Sequence, residues 1–396
     1  MRLFLPLLLL AAVQLFAQEN QENLVRQGYD HFYNLEFDQA IADFENAIAV
    51  DPTSPDLHNH LAHAIVFKEM YRNGALESEL VSGTNSFLRR PKLNPSPATE
   101  KRFLDEIDTA MRLANARLAK NPNDTAALYS LGISYGLRSD YYWVVKKSWR
   151  DSLRDATAAR RAHNRIEQLD PGDVDARLVE GLHDYILGSL PWTYRMLGFL
   201  IGLHGDKQQG IHIVQDVARN GKDNKVDAEI FLCALYRREN EARYAVPLVK
   251  DLIGRFPRNY LLRLELSQMY SMSNDKNDAM AAVQEVAHLK EEHAPGYDRV
   301  PWEKVYFQEG TIEFWYNDLN DALENMKKVA AASATDAVDL NTGTFAYLRM
   351  GQIYDMTHHR QQALEAYRKA IAYAPEAEAA QESRRYLSTP YHRGGS

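Results

Sequence analysis

The chain has 396 residues, of which 45% are apolar and 25% are charged, and its formal net charge at pH 7 is −8. This composition is ordinary for a globular protein, and the negative charge disfavours a nucleic-acid partner because phosphate backbones would repel it. The single cysteine, Cys233, excludes an internal disulfide.

The first 17 residues predict a secretory signal peptide. Arg2 supplies a positive end, and the apolar run LFLPLLLLAAVQLF that follows is too short to span a bilayer well. Cleavage after Ala17 fits the pattern, and a retained N-terminal anchor is the alternative. No cysteine follows the run, which excludes a lipoprotein attachment there. We therefore expect an exported bacterial protein in the periplasm or associated with the cell envelope.

The segment 21–52 has the apolar pattern of two consecutive helices. Gly28 and Phe32 follow helical spacing in the first helix, and Pro52 ends the second because it lacks an amide donor. The small residues Gly28 and Ala40 would let the two helices approach closely. This arrangement predicts a helical hairpin as the first structural unit.

The next unit is interrupted by a long loop. A helix is expected from Pro55 to about Tyr71, and the following segment to residue 97 is rich in Gly, Ser, Asn and Pro. Loops of this length are functional or disordered. The second helix of this unit resumes near Ala98 and is expected to end at Asn121, before Pro122.

The third unit carries an extension. Its closing Pro171 comes 39 residues after Gly132, whereas the first unit has 24 residues from its Gly to its Pro. The segment 141–161 combines aromatic and basic residues, which can bind nucleic acid or anionic lipid headgroups. Asp151 and Asp155 dilute that charge, so the pattern favours a solvated helix face.

The fourth unit is degenerate and contains an apolar insert over 189–205, the most apolar stretch after the leader. Three interpretations remain open: a buried helix that fills the centre of the array, an interfacial membrane contact, or a partner-docking patch. The side chains that would make a membrane or partner contact are Trp192, Tyr194, Leu197, Phe199 and Leu200.

From Lys225 the regular pattern returns for four units, with Cys233 at a small-residue position in the first of them. A polar segment, EAEAAQESRRYL, follows the last unit and predicts a capping helix. The tail TPYHRGGS is expected to be disordered.

The first and last units share one motif. Gly28, Phe37, Ala40, Phe44, Ala47 and Pro52 correspond in order and spacing to Gly351, Arg360, Ala363, Tyr367, Ala370 and Pro375. In this motif and its period of roughly 34 residues the chain resembles the tetratricopeptide repeat family over about 350 residues. The resemblance implies an all-α fold, a right-handed α-solenoid of antiparallel helix pairs with about seven to eight units, some of them degenerate.

The pattern divides the chain into five segments. We expect a signal peptide over 1–17, N-terminal repeat units with their loop over 18–90, and central degenerate units with helical inserts over 91–223. A C-terminal array with its capping helix follows over 224–387, and a disordered tail over 388–396.

In this family the first helix of each pair lines a concave surface that binds partner segments. Carried over position by position, the resemblance implies partner-binding roles for Val25, Tyr29, Phe32, Tyr33, Tyr129, Phe307, Phe314, Trp315, Leu348 and Gln352. Aromatic side chains are good anchors because they offer large contact area with few rotors. The alternative is that several of them pack against the neighbouring repeat instead.

Signatures of catalysis are missing from the sequence: it has no HExxH motif, no nucleotide-binding glycine loop and no nucleophile elbow. His58, His60 and His63 share a helix, but no carboxylate has ligand spacing to them. We expect no enzyme activity, metal, cofactor or small-molecule substrate, and an adaptor that binds protein or peptide partners in the cell envelope. A membrane-associated structural or transport-accessory protein, contacting lipid through 189–205, is the alternative. An enzyme with a pocket between the inserts has the least support.

Overall fold

The computed structural model describes residues 4–74, 76, 93–190, 192, 195, 204–333 and 340–394, the side chains of 4–17 and 340 excepted. The described residues form α-helices and turns, with no β-strand among them. They divide into two compact units. Unit 1 comprises described residues of Met1–Glu69 and Lys92–Leu232, and unit 2 those of Met70–Pro91 and Cys233–Ser396.

Helices of the first part of the chain are α1 (Phe4–Tyr33), α2 (Phe37–Val50), α3 (Pro55–Arg72), α4 (Pro97–Leu118), α5 (Thr125–Tyr141), α6 (Trp149–Leu169), α7 (Leu178–Gly188), α8 (Lys207–Asn220) and α9 (Lys225–Arg238). Those of the second part are α10 (Ala242–Arg255), α11 (Tyr260–Met272), α12 (Lys276–Glu291), α13 (Trp302–Trp315), α14 (Leu319–Ser333), α15 (Leu340–Met356), α16 (Arg360–Tyr373) and α17 (Glu378–Ser388). A π-turn at Tyr142–Lys146 separates α5 from α6.

Most successive helices pack against each other and are joined by short turns, so that they run antiparallel. Longer connections separate α3 from α4 (residues 73–96) and α7 from α8 (residues 189–206). Within the described residues this gives eight helix pairs, from α1/α2 to α15/α16, and α17 packs on both helices of the last pair as the predicted cap. The predicted all-α array of helix pairs is confirmed. Helix α1 runs without interruption from the segment predicted as a signal peptide into the first pair.

The turn inside a pair has a recurring backbone conformation. Leu35, Asn240, Asn274, Asn317 and His358 all have φ between 58° and 69°. Each precedes by five residues a fully buried Ala of the second helix: Ala40, Ala245, Ala279, Ala322 and Ala363. Asn tolerates the left-handed conformation better than most residues with a Cβ, which explains its presence at three of these turns.

A glycine on the first helix allows the two helices of a pair to touch. A Cβ added at Gly28 would lie 2.5 Å from Cε1 of Phe44, and one at Gly351 would lie 2.4 Å from Cε1 of Tyr367. At Gly132 the added atom would lie 2.5 Å from Nε2 of the buried His163. The motif glycine is therefore required by close helix packing, and the facing side chains Phe44 and Tyr367 are fully buried.

The same spacing between a small residue on the first helix and a large one on the second occurs in pairs where another small residue stands in the glycine's position. Gly28, Cys233, Ser267, Gly310 and Gly351 each precede by 16 residues a fully buried side chain on the second helix: Phe44, Val249, Val283, Met326 and Tyr367. Cys233 is itself 2% exposed and fills a helix-packing position, as the sequence pattern indicates.

Polar contacts between first helices hold unit 1 together. The side-chain amide of Asn59 on α3 donates to the Ser130 carbonyl on α5 over 2.8 Å, and Ser134 Oγ donates to Asn59 Oδ1 over 2.7 Å. Further along, the Asp175 carboxylate accepts hydrogen bonds from the backbone amides of Lys222 and Asn224. These buried groups are satisfied, as burial of polar atoms requires.

The border between the units lies inside helices α3 and α9, after Glu69 and after Leu232. The division of the repeats after residues 90 and 223 stays a prediction from the sequence pattern. The end of α3 belongs with unit 2 because Tyr71 packs against Tyr260 there, with their hydroxyl oxygens 3.1 Å apart. Repeat patterns mark where helices end, whereas compact units depend on which helices share contacts.

Unit 2 contains a buried ion pair. Arg237 on α9 donates to both carboxylate oxygens of Glu265 on α11 at 2.9 and 3.2 Å, and the side chains are 3% and 1% exposed. Burial raises the pKa of Glu265 above its ordinary value, and Arg237 opposes that shift. The pair joins two neighbouring first helices.

Alanine substitution at two glycines of α5 tests the close-packing argument. Gly132→Ala should destabilise the protein by about 1–3 kcal/mol, because the new methyl group collides with His163. Gly136→Ala in the same helix should stabilise it by about 0.5–1 kcal/mol, because nothing lies within 4 Å of the added Cβ and the helix gains propensity. Urea unfolding of both variants measures the difference, and equal effects would contradict the packing role of Gly132.

Removal of one partner tests the buried ion pair. Arg237→Leu should cost about 3–5 kcal/mol of folding free energy, because Glu265 would be left buried without its counter-ion. Arg237→Leu combined with Glu265→Leu should cost much less, since no charge then remains buried. Thermal and urea unfolding measure both variants; a double variant as unstable as the single one would show that packing, and not charge pairing, governs this site.

Candidate partner-binding faces

Unit 1 brings together three of the predicted anchor tyrosines. Tyr29 and Tyr33 lie one turn apart on α1 with stacked rings, 5.8 Å between centroids, and Tyr129 lies on α5. Tyr29 and Tyr129 are half-buried, and Tyr33 is 8% exposed. We call the set Tyr29, Tyr33, His60, Tyr129, Asn224 and Asp227 the tyrosine cluster.

Each phenol of the tyrosine cluster is hydrogen-bonded within the protein. Tyr29 Oη lies 2.7 Å from Nδ1 of His60 on α3. Tyr33 donates to Oδ1 of Asp227 on α9 over 2.9 Å, and Tyr129 donates to Oδ1 of Asn224 over 2.7 Å. The cluster thus connects α1, α3, α5 and the start of α9, four helices that are far apart in the sequence.

The other two predicted residues of unit 1 differ in accessibility. Phe32 is 5% exposed and packs against His63 and Phe67 of α3, with ring centroids 4.5 and 5.3 Å away. Val25 is half-buried, one turn before Tyr29. Phe32 therefore contributes to the contact between α1 and α3.

Burial sets the charge of the tyrosine cluster. It raises the pKa of Asp227 to about 6, although the Tyr33 hydrogen bond acts in the opposite direction. It lowers the pKa of His60 to about 4 and that of His63 to about 3, so both imidazoles are neutral at pH 7. The pKa values of Tyr29 and Tyr33 are well above their ordinary range because of burial and the nearby Asp227. At neutral pH the face is aromatic and carries negative charge.

In unit 2 the predicted residues lie on α13 and α15, and most are inaccessible. Phe314 and Leu348 are fully buried, and Gln352 is 1% exposed. Leu348 packs with Ala363, Tyr367 and Ala379, in the core between the last pair and the cap. Phe307 is half-buried against Met326, Val329 and Ala346. Trp315, at 49% exposed, is the one of these five that presents a large apolar surface.

Gln352 holds a polar link to the cap. Its side-chain oxygen accepts from Arg349 Nη1 over 2.6 Å, and its amide lies 3.3 Å from Oε1 of Glu382 on α17. Tyr386 also donates to Glu382, over 2.9 Å. Gln352 therefore connects α15 to the capping helix in this structure.

The tail after α17 covers Phe314. The sequence predicts disorder here, whereas residues 389–394 lie against α13 and α15 with defined contacts. Arg393 Nη2 donates to the Phe314 carbonyl over 2.5 Å, and the Arg393 guanidinium carbon is 4.6 Å from the Phe314 ring centroid. The backbone amide of Tyr391 donates to Oδ2 of Asp355 over 2.8 Å. Sequence reasoning missed this contact because a lone Arg beside two glycines carries no repeat signal.

Of the 189–205 insert, the structure describes residues 189, 190, 192, 195, 204 and 205. Trp192 is 71% exposed, while Tyr194, Leu197, Phe199 and Leu200 lie outside the described residues. In the part of the chain that the structure describes, no helix combines the length and hydropathy that a bilayer span requires.

Several cations of the basic and aromatic segment 141–161 are paired with acids. Arg154 contacts Asp151 and Asp155 at 2.9 and 3.0 Å, Arg160 lies 3.3 Å from Asp184, and Lys146 binds Glu100. Trp149 remains 57% exposed.

The three histidines of α3 point to different partners. His58 Nδ1 lies 2.6 Å from Glu106, His60 pairs with Tyr29, and His63 packs against aromatic rings. Among the described residues no group of three or more His, Cys, Asp or Glu side chains has the geometry to hold a metal ion.

Comparisons with known proteins were made by sequence and by structure. No protein-family model and no curated protein matches the sequence. Among solved structures, yeast Tom70 is 12% identical, with a TM-score of 0.41 and coverage of 94% of this chain and 95% of that one. A tetratricopeptide repeat protein from Parabacteroides merdae is 14% identical, with a TM-score of 0.32 and coverage of 79% and 93%. The human IFIT1 dimer with m7Gppp-AAAA is 13% identical, with a TM-score of 0.47 and coverage of 93% and 84%.

Substitution of Asp227 tests the electrostatics of the tyrosine cluster. A raised carboxyl pKa means that the folded state holds its proton up to about pH 6, whereas the unfolded state releases it near pH 4. The charge therefore destabilises the fold as pH rises from about 4 to 6, and the effect is complete at pH 7. Asp227→Asn keeps an acceptor for Tyr33 and removes this charge.

The melting temperature of Asp227→Asn should equal that of the wild type near pH 4 and exceed it at pH 7. Comparing the two chains at each pH cancels the contribution of His60 and His63, which acts in the opposite direction because their pKa values are lowered. Differential scanning calorimetry at pH 4 and 7 measures the difference. A gap that does not change with pH would refute the raised pKa.

Proposed function

We propose that this protein is a non-catalytic interaction scaffold that binds extended segments of protein partners on the first helices of its repeats. Binding would proceed by surface complementarity without a covalent step. The observation that carries the proposal is the tail in unit 2, an extended segment held on α13 and α15 by the Tyr391 backbone hydrogen bond, its partly buried ring and the Arg393 guanidinium. A segment of another protein could make contacts of the same chemical kind.

The exposed ring of Trp315 supports this assignment. It adjoins Phe314 edge-on, 5.3 Å between centroids, and remains 49% exposed although the tail lies beside it. An aromatic ring of this kind at the border of an occupied face is a typical anchor for a binding partner. The unit 1 face offers a second surface, where half-buried Tyr29 and Tyr129 lie near the carboxylate of Asp227.

The location that we propose is the cell envelope, after export and cleavage behind Ala17. Its support is the charge and length of the apolar leader. The membrane-associated alternative stays a prediction, since Trp192 and Arg195 are the only described residues of 191–203, the apolar part of the insert.

Site-specific crosslinking at Trp315 tests the scaffold. A photo-crosslinking amino acid in place of Trp315 should capture a defined protein from the cell envelope, because this position borders the face of α13 and α15 on which the tail lies. The matched control carries the same amino acid in place of Trp149, a tryptophan of similar exposure in unit 1. The mass of the purified chain, expected to begin at Gln18, reports on export in the same experiment.

A second variant separates binding from folding. Trp315→Ala should abolish capture by a crosslinker placed at an adjacent exposed site. The melting temperature should change little, because half of the Trp315 ring is in solvent. Phe314→Ala is unsuitable for this purpose, since emptying a fully buried aromatic site costs about 3–5 kcal/mol. The same set of captured proteins at positions 315 and 149 would contradict a specific face on unit 2.

A further inference from the structure

The tail occupies the unit 2 face in an extended conformation. Helix α17 ends at Ser388, and Thr389 follows with φ −123° and ψ 120°. Tyr391 and Arg393 are partly buried, whereas Pro390, His392 and Gly394 are exposed. This alternation is that of an extended strand with one side against a surface. The side chains of Tyr391 and Arg393, which are two residues apart, therefore contact the face of unit 2.

The first of these positions takes an aromatic ring. Tyr391 packs with the buried cluster of Phe314, Ala322 and Ile353, and its ring meets that of Tyr386 edge-on at 5.3 Å. Its backbone amide is fixed by Asp355, whose carboxylate also accepts from Arg360 at 2.9 and 3.0 Å. Because the anchoring hydrogen bond comes from the backbone, any residue with an amide N–H could provide it.

The second position takes a guanidinium at the end of a helix. Phe314 is the penultimate residue of α13, and its carbonyl accepts from Arg393. Carbonyls of a last turn lack intrahelical partners and carry the negative end of the helix dipole, which favours a cation there. The guanidinium also faces the rings of Phe314 and Trp315, 4.6 and 5.9 Å from their centroids.

A second guanidinium weakens the hold on the tail. Arg349 also lies on Phe314 and Trp315, with its guanidinium carbon 4.6 and 4.9 Å from the two centroids. Two like charges on one pair of rings repel each other. Burial lowers the pKa of Arg349, the Glu382 carboxylate opposes that shift, and Arg393 adds a smaller lowering contribution. Specific contacts therefore hold the tail in place, while the positive charge of Arg349 on α15 repels Arg393 of the tail.

We propose that the tail is a displaceable occupant of a peptide site formed by Phe314, Trp315, Ile353 and Asp355, and that this site takes extended segments of other proteins in which an aromatic residue is followed two positions later by arginine. This inference rests on the proposed scaffold function and names its partner class. A partner segment would use the same Asp355 oxygen and the same Phe314 carbonyl, so the tail and the partner exclude each other.

Tethering gives the tail an advantage over a free segment. Since it begins directly after α17, its effective concentration at the site is on the order of millimolar. A competing segment therefore binds with an apparent affinity reduced by the fraction of sites that the tail leaves open. The tail would set a threshold that only a partner of sufficient affinity or local concentration passes.

The test uses the chain with residues 389–396 removed, compared with the full chain. The probe is a fluorescent peptide of the tail sequence TPYHRGGS, and the control peptide is the same with Arg393→Ala. Fluorescence anisotropy should show saturable binding of the probe to the truncated chain, at least about 10-fold weaker binding to the full chain, and at least about 10-fold loss with the control peptide. Circular dichroism and melting confirm that the truncated chain is folded.

Full-length Arg393→Ala is the second variant and keeps the rest of the fold intact. It should bind the probe more tightly than the wild type, because its own tail competes less well. The proposal is overturned if the folded truncated chain does not bind the probe, if both chains bind it equally, or if the control peptide binds as tightly as the probe.

Two further results separate this inference from the scaffold function. Tail-dependent probe binding without any protein captured at Trp315 would support the peptide site and contradict the scaffold. Capture at Trp315 that is equal in the full and truncated chains would support the scaffold and contradict the competing role of the tail. Dimerisation of the full chain, lost on truncation, would show that the tail occupies a second copy and would overturn the intramolecular arrangement.

Discussion

The contact between a small residue on the first helix and a large buried side chain on the second is the constraint on which this protein is built. Where Gly28 faces Phe44 and Gly351 faces Tyr367, even a methyl group would collide with the ring. This contact sets the distance between the helices of a pair, and each pair in turn presents its first helix to the next. The proposed partner-binding faces are a consequence of that repeated distance.

Both units are built from helix pairs of the same kind, but their faces differ in polarity and charge. In unit 1 the tyrosines of α1 and α5 are hydrogen-bonded to Asp227 and Asn224, so the face is internally satisfied and negatively charged. In unit 2 the face is apolar at Phe314 and is covered by the chain itself. The difference arises from a few side chains on equivalent helices, and the backbone arrangement of the pairs does not require it.

Polar groups in this array carry more of the organisation than a repeat motif indicates. Asp355 accepts from Arg360, from the Tyr367 hydroxyl over 2.9 Å and from the Tyr391 amide, and so joins α15, α16 and the tail. Asp175 binds the turn before α9 in a comparable way. Buried carboxylates with several donors hold specific segments in place, because leaving any donor unpaired would cost free energy.

The sequence by itself determined the helix pairs, because the spacing of small and large apolar residues follows directly from helix geometry and recurs in units as far apart in the chain as those of Gly28 and Gly351. It also identified Tyr29, Tyr33, Tyr129 and Trp315 as residues of the first helices. Only the tertiary structure decided which of these are free to meet a partner. Phe314 has the pattern of an anchor, yet it is covered by Arg393, 79 residues later in the chain. Accessibility depends on contacts between distant segments, and no local periodicity encodes them.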